Sequence, residues 1–220
     1  MEHDPRVSHA GAGGILFDVA GESFEPAKQH RLWALAESLA AQPIPGLRET
    51  VLGINNVLLV VDPLVTHPGR VTEQLLRRWE NVQPAVPDSR DVEIDVHYGG
   101  DGGEDVASIA AHAGMSANEV VEVHSSAVYT VACLGSMPGF PYLVGLPSRL
   151  HVPRRKVPRV RLQEGSVIIA GAQASVLPCA GPCGWHVLGR AGVSLFNPEA
   201  PVPCLLAPGD RVHFRCGSID

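Results

Sequence analysis

The apolar positions in the first forty residues change from the period of a strand to that of a helix. Residues 14–19 form a short apolar run typical of a strand. Pro26 suits the first turn of a helix, and Pro43 and Gly46 end that helix. The apolar side chains between them recur at helical spacing: Leu32, Trp33, Leu35, Ala36 and Leu39. The pattern predicts a strand followed by a helix.

A hairpin and a second helix complete this part of the chain. The apolar runs 50–54 and 57–61 flank Asn55 and Asn56, residues that tolerate the positive φ of a tight turn. A second helix is predicted from about Pro68. The order βαββα therefore predicts a small α+β domain over residues 1–84.

The period changes after a proline-rich linker at residues 82–90. Residues 91–98 alternate strictly, which places Val92, Ile94, Val96 and Tyr98 on one face of a half-buried strand. Two short helices are then predicted, one over about 104–112 and one that opens with a capping box at 116–119. Short strands interrupted by glycine and proline follow, at 129–134, 166–170, 185–188 and 211–214. This pattern predicts a mostly-β domain over residues 85–220, folded as an antiparallel barrel or sandwich.

Composition narrows the class of protein. The 220-residue chain is 45% hydrophobic and carries a formal net charge of −6, which disfavours nucleic acid as a partner. The longest apolar run, residues 57–61, is too short to span a membrane, and the first residues lack the features of a signal peptide. Five scattered cysteines are typical of free thiols. We therefore expect a cytoplasmic protein.

Positive charge is concentrated in one proline-flanked segment. Six of the seventeen cationic residues lie within one short window: Arg149, Arg154, Arg155, Lys156, Arg159 and Arg161. A basic patch on an acidic protein indicates a small anionic ligand or an acidic partner, and the alternative is a solvated loop.

Several common sites are absent from the sequence. It has no P-loop motif for ATP phosphates, no Gly-x-Ser-x-Gly elbow and no amidase signature, and its glycine-rich stretches 11–14 and 99–103 are interpreted as turns. Cys179, Cys183 and His186 resemble part of a zinc site, but no second Cys/His pair is near them in sequence. We therefore expect buried thiols and no metal.

Four residues are candidates for chemistry on their sequence context alone. His124 precedes Ser125 and could activate a hydroxyl, although a histidine at the C-terminus of a helix is the commoner explanation. Ser166 follows the arginines where a loop becomes a strand, so its hydroxyl either binds an anion or simply starts that strand. Phe140 and Tyr142 flank Pro141, close to Pro138-Gly139, and aromatic residues are only 5% of the chain. They are candidates for a pocket wall, or else for the core.

A series of collinear motifs, densest over residues 96–214, resembles the allophanate hydrolase subunit 1 family. They include Val96-His-Tyr-Gly-Gly100, His124-Ser125, Pro138-Gly-Phe-Pro-Tyr-Leu143, Pro153-Arg154, Pro158-Arg159, Gly165-Ser-Val167, Gly184-Trp185, Leu188-Gly-Arg190 and Pro208-Gly-Asp-Arg-Val212. The resemblance implies a small α+β domain followed by a cyclophilin-like β-barrel. Trp185 belongs to these motifs, and Arg154 and Arg159 each follow a proline between the aromatic segment and Ser166. With Phe140, Tyr142 and Ser166, they are the candidate substrate-binding residues.

The family includes the B component of bacterial 5-oxoprolinase and a sporulation kinase inhibitor. The resemblance implies a complex with a larger homologous subunit of the allophanate hydrolase subunit 2 type. In 5-oxoprolinase, such a pair works with a third subunit to open 5-oxoproline to glutamate, a reaction driven by ATP. We therefore expect a hydrolase subunit, inactive alone, whose complex uses ATP.

Two other functions stay open. One is a binding protein that inhibits a sensor histidine kinase, and the other is a component of urea- or allophanate-related carboxyl transfer. The chain also departs from the usual family motifs at Ser136, Ala174-Ser175 and Cys183, which all lie near the expected pocket.

Overall fold

The computed structural model describes residues 5–219 and divides the chain into two units, residues 1–87 and 88–220. Each unit has its own apolar core. The expectation about a signal peptide rests in part on residues 1–4, which lie outside the described range. None of the helices within that range is long and apolar enough to cross a membrane.

The first unit is a four-stranded antiparallel sheet with two helices. The strands lie in the order β1-β2-β4-β3. The elements are β1 (Arg6–Ala10), β2 (Gly14–Asp18), α1 (Pro26–Ala41), β3 (Leu47–Leu52), β4 (Asn56–Val61) and α2 (Pro68–Asn81).

Alternation in the two central strands builds the core of this unit. One face of β2 and β4 buries Ile15, Phe17, Val57, Leu59 and Val61. The helices pack their apolar stripes on the same cluster, with Leu32, Leu35 and Leu39 from α1 and Val71, Leu75 and Trp79 from α2. Each such side chain contributes about 1.5–3 kcal/mol when fully buried.

The predicted order βαββα omits the first strand, and the observed order is ββαββα. Strand β1 is an edge strand that pairs only with β2, and four of its five residues are exposed. Val7 is its only apolar side chain packed against the core. Because one partly buried position gives no periodicity, the sequence pattern carries no signal for this strand.

The hairpin predicted at Asn55 is confirmed. Asn55 has φ of 52°, and its side-chain Oδ1 accepts a hydrogen bond of 2.8 Å from the Glu25 N–H. The Asn55 N–H donates to Oε1 of Gln29 at 2.7 Å, and both Asn55 and Gln29 are buried. These bonds tie the turn of the hairpin to the first residues of α1.

The second unit is a closed seven-stranded barrel with two short helices and a two-stranded ribbon. The barrel order is β10-β7-β6-β13-β5-β12-β9, and the ribbon is β8 with β11. The elements are β5 (Asp91–Tyr98), α3 (Val106–Ala113), α4 (Ala117–Ser125), β6 (Val128–Leu134), β7 (Pro141–Val144), β8 (Arg159–Leu162), β9 (Ser166–Ala170), β10 (Gln173–Val176), β11 (Gly181–Cys183), β12 (His186–Ala191) and β13 (Arg211–Ile219).

The alternating strand, both short helices and the later strands all form where the sequence predicts them. The capping box is also present, since Oγ of Ser116 accepts from the Glu119 N–H and Oε2 of Glu119 accepts from the Ser116 N–H. One feature corrects the antiparallel expectation, because β5 and β13 pair in parallel. These strands begin and end the unit, so no hairpin joins them.

Strand β9 separates two apolar clusters. Val167 and Ile169 belong to the barrel interior, and the alternate residues Ile168 and Ala170 belong to a second cluster. All five residues of β9 are buried because both faces are covered. The second cluster contains the aromatic side chains of the candidate site.

Candidate functional site

Three aromatic rings of the second cluster contact one another. The ring centroids of Phe140 and Tyr142 are 5.1 Å apart, those of Phe140 and Trp185 are 6.0 Å apart, and those of Tyr142 and Trp185 are 6.3 Å apart. All three pairs meet edge to face, the arrangement that aromatic quadrupoles favour. The structure therefore brings together three of the residues singled out from the sequence.

A tight turn positions Phe140 in this cluster. Gly139 has φ of 76°, and a Cβ added there would lie 2.8 Å from Cβ of Phe196. The Phe140 N–H donates to the Met137 carbonyl, and the Phe140 carbonyl accepts from the Gly135 N–H, both at 3.1 Å. Glycine is required by both the conformation and the lack of space.

Arg154 lies at the edge of the aromatic cluster. Its guanidinium carbon is 5.8 Å from the ring centroid of Trp185, within the range of a cation–π interaction. Arg154 is exposed, and no carboxylate in the described part of the chain pairs with it. Its charge is therefore accessible to a ligand or a partner.

Arg159 and Arg155 are placed quite differently, around the buried carboxylate of Asp105. Arg159 forms a bidentate pair with Asp105, with nitrogen–oxygen distances of 2.7 and 3.0 Å, and also contacts Glu104 at 3.0 Å. Arg155 donates to Asp105 Oδ1 at 2.7 Å, and the Val187 N–H donates to Oδ2 at 2.8 Å. Asp105 thus fastens the basic segment and β12 to the loop before α3.

The charge of Asp105 is stabilised by these donors. Burial alone opposes ionisation, but the hydrogen bonds from Arg159 and Val187 outweigh it and hold the pKa of Asp105 below its usual range. In turn the Asp105 carboxylate raises the pKa of Arg159. Asp105 is the buried centre of this ionic network, in which Arg155 Nε has no hydrogen-bond partner of its own within the described residues, so the loss of Asp105 is expected to be costly.

Sequence reasoning missed Asp105 as a functional residue. The one sequence feature that could have indicated it is the acidic pair Glu104-Asp105 in a chain with a concentrated arginine segment. The pairing itself spans fifty or more residues along the chain, so no local pattern predicts which arginine meets this acid.

The hydroxyl of Ser166 is used locally. Its Oγ donates to the Gln163 carbonyl at 2.8 Å, and the residue is buried at the first position of β9. This is the geometry of strand initiation, the alternative that the sequence left open.

His124 is enclosed by the barrel and lies in a different cluster from the aromatic site. Its Nδ1 is 2.8 Å from the Tyr98 hydroxyl, its ring stacks on Phe214 with centroids 4.7 Å apart, and its carbonyl accepts from the Tyr129 hydroxyl. Burial lowers the pKa of His124 to about 3, so the ring is neutral at pH 7. The Ser125 hydroxyl donates to the Glu122 carbonyl instead of meeting the imidazole.

The cysteines near the site are free thiols. The expectation that both are buried is wrong for Cys179, which is exposed, and Cys183 is only half-buried. Burial raises the pKa of Cys183, although the Trp185 N–H and the charges of Arg154 and Arg159 act in the opposite direction. The spacing of the two cysteines therefore does not decide their burial.

The residues that resemble part of a zinc site have other neighbours. His186 Nε2 lies 3.0 Å from the Pro153 carbonyl oxygen, so this ring nitrogen already has a partner. Across residues 5–219, no three His, Cys, Asp or Glu side chains are close enough to hold a metal ion.

Comparison with known proteins identifies relatives along nearly the whole chain. The family described as carboxyltransferase domain, subdomain C and D, matches residues 5–206. The chain is 45% identical over 188 residues to the B component of 5-oxoprolinase from Escherichia coli O157:H7, covering 86% of this chain and 85% of that protein.

Two solved structures share the fold. TTHA0988 is 34% identical with a TM-score of 0.79, and the match covers 93% of this chain and 40% of that one. This chain therefore spans well under half the length of that protein. The urea amidolyase of Kluyveromyces lactis has a TM-score of 0.85 at 20% identity, with 97% of this chain and 15% of that one covered, which shows the fold alone. On the family match and the identity to the E. coli protein, this chain belongs to the carboxyltransferase subdomain C and D family.

Proposed function

We propose that this chain is a subunit of an ATP-dependent 5-oxoprolinase-type complex that opens 5-oxoproline to glutamate. The observation that carries the proposal is the 45% identity to the B component of E. coli 5-oxoprolinase over most of both chains. In the net reaction, ATP hydrolysis drives the addition of water across the lactam C–N bond. The barrel is then of the cyclophilin-like type that the resemblance implies.

The aromatic cluster and Arg154 supply the groups that such a substrate needs from this chain. Phe140 and Trp185 are buried, with 6% of each residue exposed, so the half-buried ring of Tyr142 is the part of this cluster that can face the lactam ring. The unpaired guanidinium of Arg154 offers a planar donor for a carboxylate or for a phosphorylated carbonyl intermediate. In this proposal Arg159 holds the segment that carries Arg154, because its own donors already face Asp105 and Glu104.

A larger homologous subunit completes the site in this proposal. The open side of the basic segment displays two apolar residues, Val157 and Val160, with 76% and 89% of their surface exposed. We infer that the partner covers these valines together with Arg154, whose charge has no carboxylate partner in the described part of the chain. TTHA0988 supports the same idea, because more than half of that polypeptide lies outside the region that matches this chain.

ATP is assigned to the complex and not to a P-loop of this chain, because the sequence has no such motif. The proposed assembly also contains a third, lactam-utilising subunit. The test is to purify this chain alone and together with the two partner subunits, and to assay glutamate formed from 5-oxoproline with and without ATP.

We expect turnover only in the full assembly and only with ATP. We also expect the chain and the larger subunit to co-purify through an interface of about 2,000 Å² or more. Glutamate formation by the isolated chain contradicts the split site. A stable complex that lacks turnover but blocks autophosphorylation of a sensor kinase instead supports the regulatory alternative.

A further inference from the structure

A cleft of about 410 Å³ opens on the outside of the barrel, and its lining shares no residue with the aromatic cluster or Arg154. Its volume is in the range of small-molecule sites. Its lining consists of His97, Gly99, Asp101, Gly102, Arg190, Ala191 and Gly192.

Strand pairing fixes the two basic side chains of this cleft. Arg190 of β12 lies directly opposite His97 of β5, and Ser218 of β13 lies opposite His97 on the other side. His97 Nδ1 is 2.9 Å from the Ser218 hydroxyl, which orients the imidazole and leaves Nε2 for another partner. The positions of Arg190, His97 and Ser218 are therefore set by strand pairing in the barrel and not by a flexible loop.

The glycine loop that forms the opposite wall is held in place by close backbone packing. Gly99 and Gly100 have φ of 78° and 53°, and a Cβ added at Gly103 would lie 2.3 Å from the Leu188 carbonyl oxygen. A Cβ added at Gly102 would lie 3.3 Å from Cβ of Arg190. Gly103 therefore has no space for a side chain, and the loop packs directly against β12, so the cleft is preformed.

The charged side chains of this cleft, Arg190 and Asp101, are both exposed, so a ligand would replace the water that solvates them. Within residues 5–219, neither the Arg190 guanidinium nor the Asp101 carboxylate has a hydrogen bond or ion pair, and the two do not pair with each other. A ligand that is only an anion would meet Arg190 but would place a second negative charge against Asp101. A ligand with both charges neutralises both groups.

We propose that this cleft binds a small zwitterion of the amino-acid class. Arg190 takes the carboxylate through its planar donor fork, Asp101 takes the ammonium group, and His97 Nε2 contacts the carboxylate from the side. Gly99, Gly102 and Gly192 have no side chains, so their backbone groups are exposed at the wall of the cleft. The proposal does not rest on the proposed 5-oxoprolinase function, since it concerns equilibrium binding by this chain.

The experiment is an NMR titration of the full-length, isotope-labelled chain with three probes. L-glutamate carries both charges, glutarate carries only carboxylates, and n-butylamine carries only the ammonium group. We expect L-glutamate to shift the amide signals of Gly99, Gly102 and Gly192, and to bind at least about tenfold more tightly than either other probe.

Variants separate the two charges. Arg190→Ala is expected to weaken L-glutamate binding about ten- to a hundredfold. Asp101→Asn is expected to weaken L-glutamate binding similarly but to strengthen glutarate binding, because the repulsion is removed. Arg70→Ala is the matched control, since Arg70 is also exposed and unpaired in the described structure but lies in α2 of the other unit.

Three results overturn the proposal: glutarate that binds as tightly as L-glutamate, Arg190→Ala that behaves like Arg70→Ala, or loop signals that stay unshifted at the highest soluble L-glutamate concentration. Asp101 is exposed, so Asp101→Asn decides the question even if Arg190→Ala does not fold.

Discussion

Arg154 and Arg159 lie five positions apart in one basic segment, and both follow a proline, yet the structure treats them in opposite ways. Arg159 is largely enclosed and pairs with two carboxylates, whereas Arg154 is exposed beside Trp185 without a carboxylate partner. The guanidinium groups are chemically identical, so the difference lies in the neighbours. An arginine that is already neutralised holds the fold, and an arginine that is not is available for a ligand.

The same contrast separates Asp105 from Asp101, which lie four positions apart in the segment before α3. Asp105 is buried and receives donors from two arginines and one backbone N–H. Asp101 is exposed and has no such partner in the described structure. Removing each kind of group should therefore affect a different property: stability for the paired groups, and binding for the unpaired ones.

The largest expected effect is on stability, in Asp105→Ala. The substitution leaves the guanidinium groups of Arg155 and Arg159 and the Val187 N–H without their acceptor. Losing one member of a buried ionic network costs about 3–5 kcal/mol in the free energy of unfolding, measured by urea denaturation.

The matched control is Glu104→Ala, which removes the neighbouring acid and only one contact to Arg159. The Glu104 side chain is 58% exposed, so its loss is expected to cost no more than about 1 kcal/mol. Equal destabilisation by the two substitutions would mean that the buried carboxylate of Asp105 is no more important for stability than the exposed carboxylate of Glu104.

The next effect compares Arg154→Lys with Arg159→Lys in the assembled complex. A lysine keeps the charge but loses the planar fork, so Arg154→Lys is expected to reduce turnover about ten- to a hundredfold, or about 1.5–3 kcal/mol, at an unchanged melting temperature. Arg159→Lys is expected to lower the melting temperature and the yield of the complex. Unaltered turnover of Arg154→Lys at normal stability would rule out the anion-binding role of Arg154.

The sequence predicts the strands and helices of this protein better than its contacts. The alternation over residues 91–98 places Ile94, Val96 and Tyr98 in the barrel, because a period of two leaves one choice of buried face. The edge strand β1 escapes prediction because only Val7 is packed against a core.

The candidate site shows the same limit. Phe140, Tyr142 and Trp185 each belong to a sequence motif, and the structure places their rings in contact. The roles of the arginines could not be predicted, because the partner of Arg159 lies 54 residues earlier in the chain. A local pattern indicates that a cation is present, but only the fold decides whether it is already paired.

The last prediction concerns His124, and its effect per pH unit on the free energy of unfolding is the smallest. His124 extends the comparison to a buried group that has no charged partner. Its Nδ1 meets the Tyr98 hydroxyl, and its Nε2 has no hydrogen-bond partner in the described structure. Burial lowers the pKa of His124 to about 3, against an ordinary value of 6.5. Between these values the unfolded chain binds a proton that the folded chain excludes. The free energy of unfolding therefore falls as the pH decreases below 6.5, by up to about 1.4 kcal/mol per pH unit.

Asp105 does not contribute to that slope between about pH 7 and 5. The pKa of Asp105 is lowered in the folded chain, so the stability that this residue provides is fully present above the ordinary carboxyl range and is lost only in stronger acid. The slope of urea unfolding between about pH 7 and 5 therefore excludes Asp105, and a variant of His124 measures the share of this histidine. We expect His124→Leu to flatten the slope even though it lowers stability overall, since the imidazole also packs on Phe214. Phe214→Leu is the matched control, since it loses the same ring contact without removing a titratable group, and it should keep the slope of the native chain. A slope in His124→Leu equal to that of the native chain would mean that the barrel admits the proton, and that His124 is accessible enough to act as the base that its sequence context suggests.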